Sequence, residues 1–182
     1  MPASPPRDAA AQSHADSIAR FVAAARTVSD TAWERPISHG HWSPAQVAEH
    51  VRMAYALVQH QLSGGSGMRI RTSWLVRLML RWRSLPRILA SGRLPDGVRA
   101  PRELRPGDGP YPREQVLQAL QVAAGNVQET LVRRWDDPNC RVTHFILGDL
   151  DPPTAMQFAT VHTNHHARQL EDALGRPAGR DR

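Results

Sequence analysis

Apolar residues return at helical spacing in four stretches of the chain. From about residue 9 to 30 the stripe is Ile18, Phe21, Val22, Ala25 and Val28, in an Ala-rich setting that favours helix. The stretch Trp33–His41, with Pro36 and Gly40, reads as a connection. A second helix has a clear start: Ser43 as N-cap, Pro44 at the first helical position and Gln46 completing a capping box. It carries Val47, His50, Val51, Ala54, Val58 and Leu62 inward and ends in Ser63-Gly64-Gly65-Ser66-Gly67. The third stripe, over about 112–135, is Val116, Leu117, Leu120, Ala124, Val127, Leu131 and Trp135. The fourth opens on Asp151 as cap with Pro152 and Pro153 behind it. It runs through Ala155, Phe158, His162, His166, Leu170 and Leu174, and Gly175 stops it.

The intervening segments differ in character. Residues 69–91 are apolar and Arg-rich together, enough for a short helix or two, with Trp74, Leu78 and Trp82 on one helical face that needs cover. This segment is expected to pack across one end of the bundle. Residues 92–112 carry Pro95, Pro101, Pro106, Pro110 and Pro112 and predict an extended connection, of a length usually reserved for functional or covering roles. Residues 136–151, with the apolar run Phe145-Ile146-Leu147, predict a second connection. No internal repeat is present. The fold class expected is all-α: a four-helix bundle with a long crossover between the second and third main helices. One domain spans 9–175, between tails at 1–8 and 176–182.

Composition adds little that is specific. The 182 residues suffice for one domain with its own core. The net charge of +6 comes from 23 basic side chains, all Arg, spread along the chain and mostly not interleaved with aromatics. A nucleic-acid partner is therefore not expected. The single cysteine, Cys140, permits no internal disulfide and has no CxxC partner. The Pro-rich start lacks a secretory apolar stretch, and no apolar run is long enough to cross a bilayer. A cytoplasmic location is expected.

The candidate chemistry lies in the histidines. His162 and His166 stand four apart, which puts both imidazoles on one helical face. Both fall within the apolar stripe, as His50 does on its own helix. Three imidazoles meeting in a core need a compensating partner, and a metal ion is one. His165 also has workable spacing, so the pair alone leaves the choice between His165 and His166 open. His39, His41, His60 and His144 fall in loops or near helix ends and are expected to be solvated, and His14 has no evident partner.

Two segments resemble those of the DinB/YfiT-like family of metalloenzymes. Trp42-Ser43-Pro44-Ala45-Gln46-Val47-Ala48-Glu49-His50 is similar to the segment that opens the family's second helix and ends on its first ligand. His162-Thr163-Asn164-His165-His166-Ala167-Arg168-Gln169-Leu170 resembles its last-helix motif. The order of helices agrees as well. The resemblance implies a four-helix bundle with a three-histidine site. It assigns the ligand role to His50, His162 and His166, and so decides between His165 and His166.

The activity implied is a thiol-dependent transferase or a hydrolase acting on a small molecule through a divalent metal ion. Three histidines admit zinc, nickel, iron or manganese. The partners expected are the small-molecule substrate, a low-molecular-weight thiol and, for assembly, a second copy in a homodimer. No catalytic residue beyond the ligands is identified: Glu49 should point away, and Asp149, Asp151, Glu171 and Asp172 suit helix ends and surface. Two other classes stay open. One is a non-catalytic, metal-stabilised binding protein. The other is a surface acting on membranes or nucleic acid through 69–91.

Overall fold

Each of the four periodic stretches is a helix in the structure, a computed structural model that describes residues 6–38, 41–95 and 99–175. The parts of the expected tails at 1–5 and 176–182 lie outside the described residues, as does His39. The bundle consists of α1 (Arg7–Thr27), α3 (Pro44–Leu62), α6 (Arg113–Arg133) and α7 (Pro152–Gly175). Short α2 (Asp30–Trp33) stands where a connection was expected to begin, and it buries Trp33. Helix α1 packs chiefly on α7, and α3 chiefly on α6. Between these pairs lies a close-packed core that includes Phe21, Val51, Leu117, Leu120, Leu131 and Leu170.

Local chemistry sets the helix starts. The Ser43 hydroxyl accepts from the Gln46 amide at 3.1 Å, while the Gln46 side chain accepts from the Ser43 amide at 3.0 Å. Asp151 Oδ1 accepts from the Thr154 amide at 2.9 Å and so caps α7.

The long crossover from α3 to α6 is helical over the first part, as expected of residues 69–91. It holds a helical run made of α4 (Trp74–Met79), a π-helical turn (Leu80–Ser84) and α5 (Leu85–Ser91). Pro86 has no amide to give to the Trp82 carbonyl, and the ladder instead runs from the Leu85 amide to the Leu80 carbonyl. Leu85 and Ile88 are buried, but Trp74, Leu78 and Trp82 are exposed, so the face expected to need cover has none. A 3₁₀ turn, Arg102–Leu104, follows in the Pro-rich part.

The second expected connection folds into a two-stranded antiparallel hairpin, β1 (Val142–His144) with β2 (Gly148–Leu150), pairing His144 with Gly148. Gly148 has φ +72°, a conformation that L side chains rarely adopt. An added Cβ there would also meet the Arg77 side chain at 2.5 Å. Cys140 is buried and unpaired. No helix among the described residues is long and apolar enough to cross a membrane.

Candidate metal centre

Helices α3 and α7 bring three imidazoles together across the bundle. His50 Nε2 lies 3.3 Å from His162 Nε2, which lies 3.3 Å from His166 Nε2. One nitrogen from each ring falls within 4.8 Å of the others. The one-turn spacing of His162 and His166 fixes half of this arrangement, and the packing of α3 brings His50 to meet it.

The outer nitrogens of two rings are spoken for. His50 Nδ1 is 2.7 Å from the Leu104 carbonyl, which can only accept, so Nδ1 carries the proton and Nε2 presents a lone pair. His166 Nδ1 donates to Gln169 Oε1 at 2.8 Å, with the same consequence. Two lone pairs thus converge on His162 Nε2, which could donate one hydrogen to one of them and no more. A cation at the meeting point would satisfy all three nitrogens. Two nitrogens held about 2.05 Å from a tetrahedral ion lie about 3.3 Å apart. The donor set and its spacing therefore fit a divalent metal.

Electrostatics agree. Burial pushes His50 below the ordinary imidazole value, against the opposing Leu104 hydrogen bond and with some help from His165. Burial pushes His162 and His166 further down, and neighbouring imidazoles add to it. All three are held neutral, the form that binds metal.

His165, the alternative at the sequence level, is held by Gln169, whose Nε2 donates to His165 Nε2 at 3.1 Å. His60 and His41 are exposed, as expected. His14 departs from expectation, being 1% exposed and bonded to both Gln128 and Tyr55. Asp151 caps α7, Glu171 pairs with Arg20, and Asp149 accepts from Thr143. Asp172, by contrast, lines the same cavity as the three histidines.

The three histidines line a cavity of about 1220 Å³ whose walls include Val58, Leu80, Ile88, Ile146 and Phe158. His144 lines it as well and is not solvated as expected. Its Nδ1 accepts from the Ile146 and Leu147 amides, both at 3.2 Å, which places the ring proton on Nε2. Nε2–H has no partner among the described residues. Burial lowers the His144 pKa to about 4, so the ring is a neutral donor across the physiological range.

Three contributors to the site escaped the sequence reading: Leu104, Gln169 and His144. Gln169 was findable, one turn beyond His166 on the same face. Leu104 acts through its backbone carbonyl, which leaves no mark in the sequence. His144 depends on a hairpin that periodicity does not reveal.

Comparison with curated proteins gives no match. Among solved structures the chain resembles YfiT from Bacillus subtilis, described as a "probable metal-dependent hydrolase with an unusual four-helix bundle topology". The sequences are 15% identical and the TM-score is 0.61, over 97% of this chain and 94% of that one. At this identity the likeness concerns the fold. The sequence model of the DinB superfamily matches residues 14–170, and the chain belongs to that superfamily.

Proposed function

We propose that the protein is a metal-dependent enzyme that binds one divalent ion through His50, His162 and His166. In this reading it cleaves or transfers a group on a small, largely apolar molecule, with water or a low-molecular-weight thiol as the attacking partner. The observation that carries the reading is the convergence of three Nε2 atoms, two with lone pairs fixed by Leu104 and Gln169. A divalent ion bound there would supply Lewis acidity and lower the pKa of a coordinated water or thiol. The description of YfiT as a probable hydrolase supports the choice of reaction class.

The chain's own residues do the rest. Leu104 and Gln169 hold two imidazoles in orientation and tautomer. The apolar walls strip water from a substrate held in the cavity. His144 Nε2–H donates a hydrogen bond to a substrate oxygen, where negative charge grows during attack.

Elemental analysis after gel filtration tests the site. The parent is expected to carry about one divalent ion per chain, and His50→Ala, His162→Ala and His166→Ala each to lose most of it. His165→Ala and His144→Ala should keep it. Equal metal content in His50→Ala and the parent would overturn the three-histidine site. Loaded enzyme is then screened against esters and amides with and without added thiol. Turnover that needs thiol identifies a transferase, and turnover in water alone a hydrolase. A loaded protein inert to both would be a metal-stabilised binding protein, against this reading.

A further inference from the structure

Over Trp74–Trp82, the first half of the helical run Trp74–Ser91, most apolar side chains turn outward, while Leu85 and Ile88 in the second half are buried and anchor it. A surface helix ordinarily hides its apolar stripe and shows its charges. Here Trp74, Leu75, Leu78, Met79 and Trp82 face solvent, with Trp74 66% and Trp82 80% exposed. The polar side faces the protein: Arg81 donates to the Asp149 carbonyl, and the Arg77 side chain lies over Gly148. Leu80, Ser84 and Ile88 of the same run line the histidine cavity. Contiguous exposed apolar surface of this kind marks an interaction face.

Charge selects the partner. Between Arg69 and Pro95 the sequence has seven Arg and no Asp or Glu. Arg69, Arg83, Arg87 and Arg93 are exposed around the apolar face. A second copy docking the same face would bring cations against cations with no acid in the segment to pair them. Nucleic acid would use the arginines but would leave the Trp, Leu and Met side chains in water. An anionic bilayer matches both features, taking the apolar side chains into its headgroup boundary and the arginines at its phosphates. The two tryptophans are the residue type most at home at that depth.

We propose that Trp74–Ser91 docks the protein on an anionic lipid surface, with Trp74, Leu75, Leu78, Met79 and Trp82 inserted and Arg83 and Arg87 at the headgroups. This rests on the exposed face alone and not on the metal reading.

Co-sedimentation with vesicles tests it, using the full chain. The protein should bind vesicles of equal parts phosphatidylglycerol and phosphatidylcholine, and not vesicles of phosphatidylcholine alone. Trp74→Gln with Trp82→Gln should weaken binding by about tenfold or more. Arg83→Gln with Arg87→Gln should weaken it by about 30-fold at low salt, from a factor of about five per Arg. All four side chains are exposed, so the melting temperature should hold. Leu75→Gln with Met79→Gln gives a second way of removing apolar surface. Absence of binding to the anionic vesicles would overturn the proposal, as would binding that survives both apolar pairs of substitutions. A concentration-dependent dimer dispersed by the Trp substitutions, without vesicle binding, would assign the face to a second copy. An oligonucleotide held as firmly as the vesicles, regardless of the Trp substitutions, would assign it to nucleic acid. Either of these results overturns the lipid assignment.

Discussion

Replacing Tyr55 by Phe should cost the fold far more than one oxygen atom implies. Tyr55, His14 and Thr163 are at most 3% exposed and come from α3, α1 and α7. His14 Nδ1 donates to Gln128 Oε1 at 2.7 Å, so His14 Nε2 must accept from the Tyr55 hydroxyl at 2.8 Å. The Tyr55 oxygen in turn accepts from the Thr163 hydroxyl at 2.8 Å. The chain of bonds therefore has one direction and passes through a single hydroxyl. Tyr55→Phe leaves the His14 lone pair and the Thr163 hydroxyl unpaired in a dry core. Each orphaned group costs about 1–3 kcal/mol. Thr163 can turn back to a carbonyl of its own helix and recover part of this. A net loss of about 2–3 kcal/mol remains. In urea, with a slope of about 2 kcal/mol per molar, the unfolding midpoint should fall by roughly 1 M. His14→Phe in the Tyr55→Phe background should cost less than in the parent, by about 1 kcal/mol, because its partner is already gone. A loss under about 0.5 kcal/mol, or strict additivity of the two changes, would refute this account of the network.

Acid should destabilise metal-free protein. His144 is held neutral in the fold at a pKa of about 4 and titrates near 6.5 when unfolded, so the unfolded chain binds the extra proton. Its contribution, of order 3 kcal/mol, is present above pH ~6.5 and is lost as pH falls towards 4. His14 and, without metal, His50, His162 and His166 are also lowered by burial and act in the same direction. Melting temperatures between pH 7 and 4 should fall, and His144→Asn should flatten the decline; a parallel decline in the variant would contradict the assignment. Ser43→Ala removes one half of the capping box and should cost about 1 kcal/mol by denaturant titration. An unchanged midpoint would show that the start of α3 is held by packing instead.

The features legible in the sequence are those whose cause lies within a few residues. The capping box at Ser43 and Gln46 needs only one turn of chain. The His162–His166 pair needs only the helical repeat, the apolar stripe of its own helix marked His50, and the family motif assigned the ligand roles and chose His166 over His165. The bundle itself followed from four apolar stripes, since an amphipathic helix must bury its stripe somewhere. Periodicity shows that a stripe exists and not which neighbour covers it. That is why Trp74, Leu78 and Trp82 read as a face awaiting cover, while in the fold Leu85 and Ile88 are buried and that face stays bare. The same limit hid the partners of His14, since Gln128 lies 114 positions away. It hid Leu104 as well, 54 positions from His50, because a backbone carbonyl is the same in every residue. His144 became a half-buried donor only when the hairpin turned two amides onto its Nδ1. Local bonding and repeat spacing wrote the helices and two of the histidines into the sequence. The tautomers, the burial and the outward turn of the Arg-rich helix were decided by contacts between segments far apart in the chain, which only the folded tertiary structure brings together.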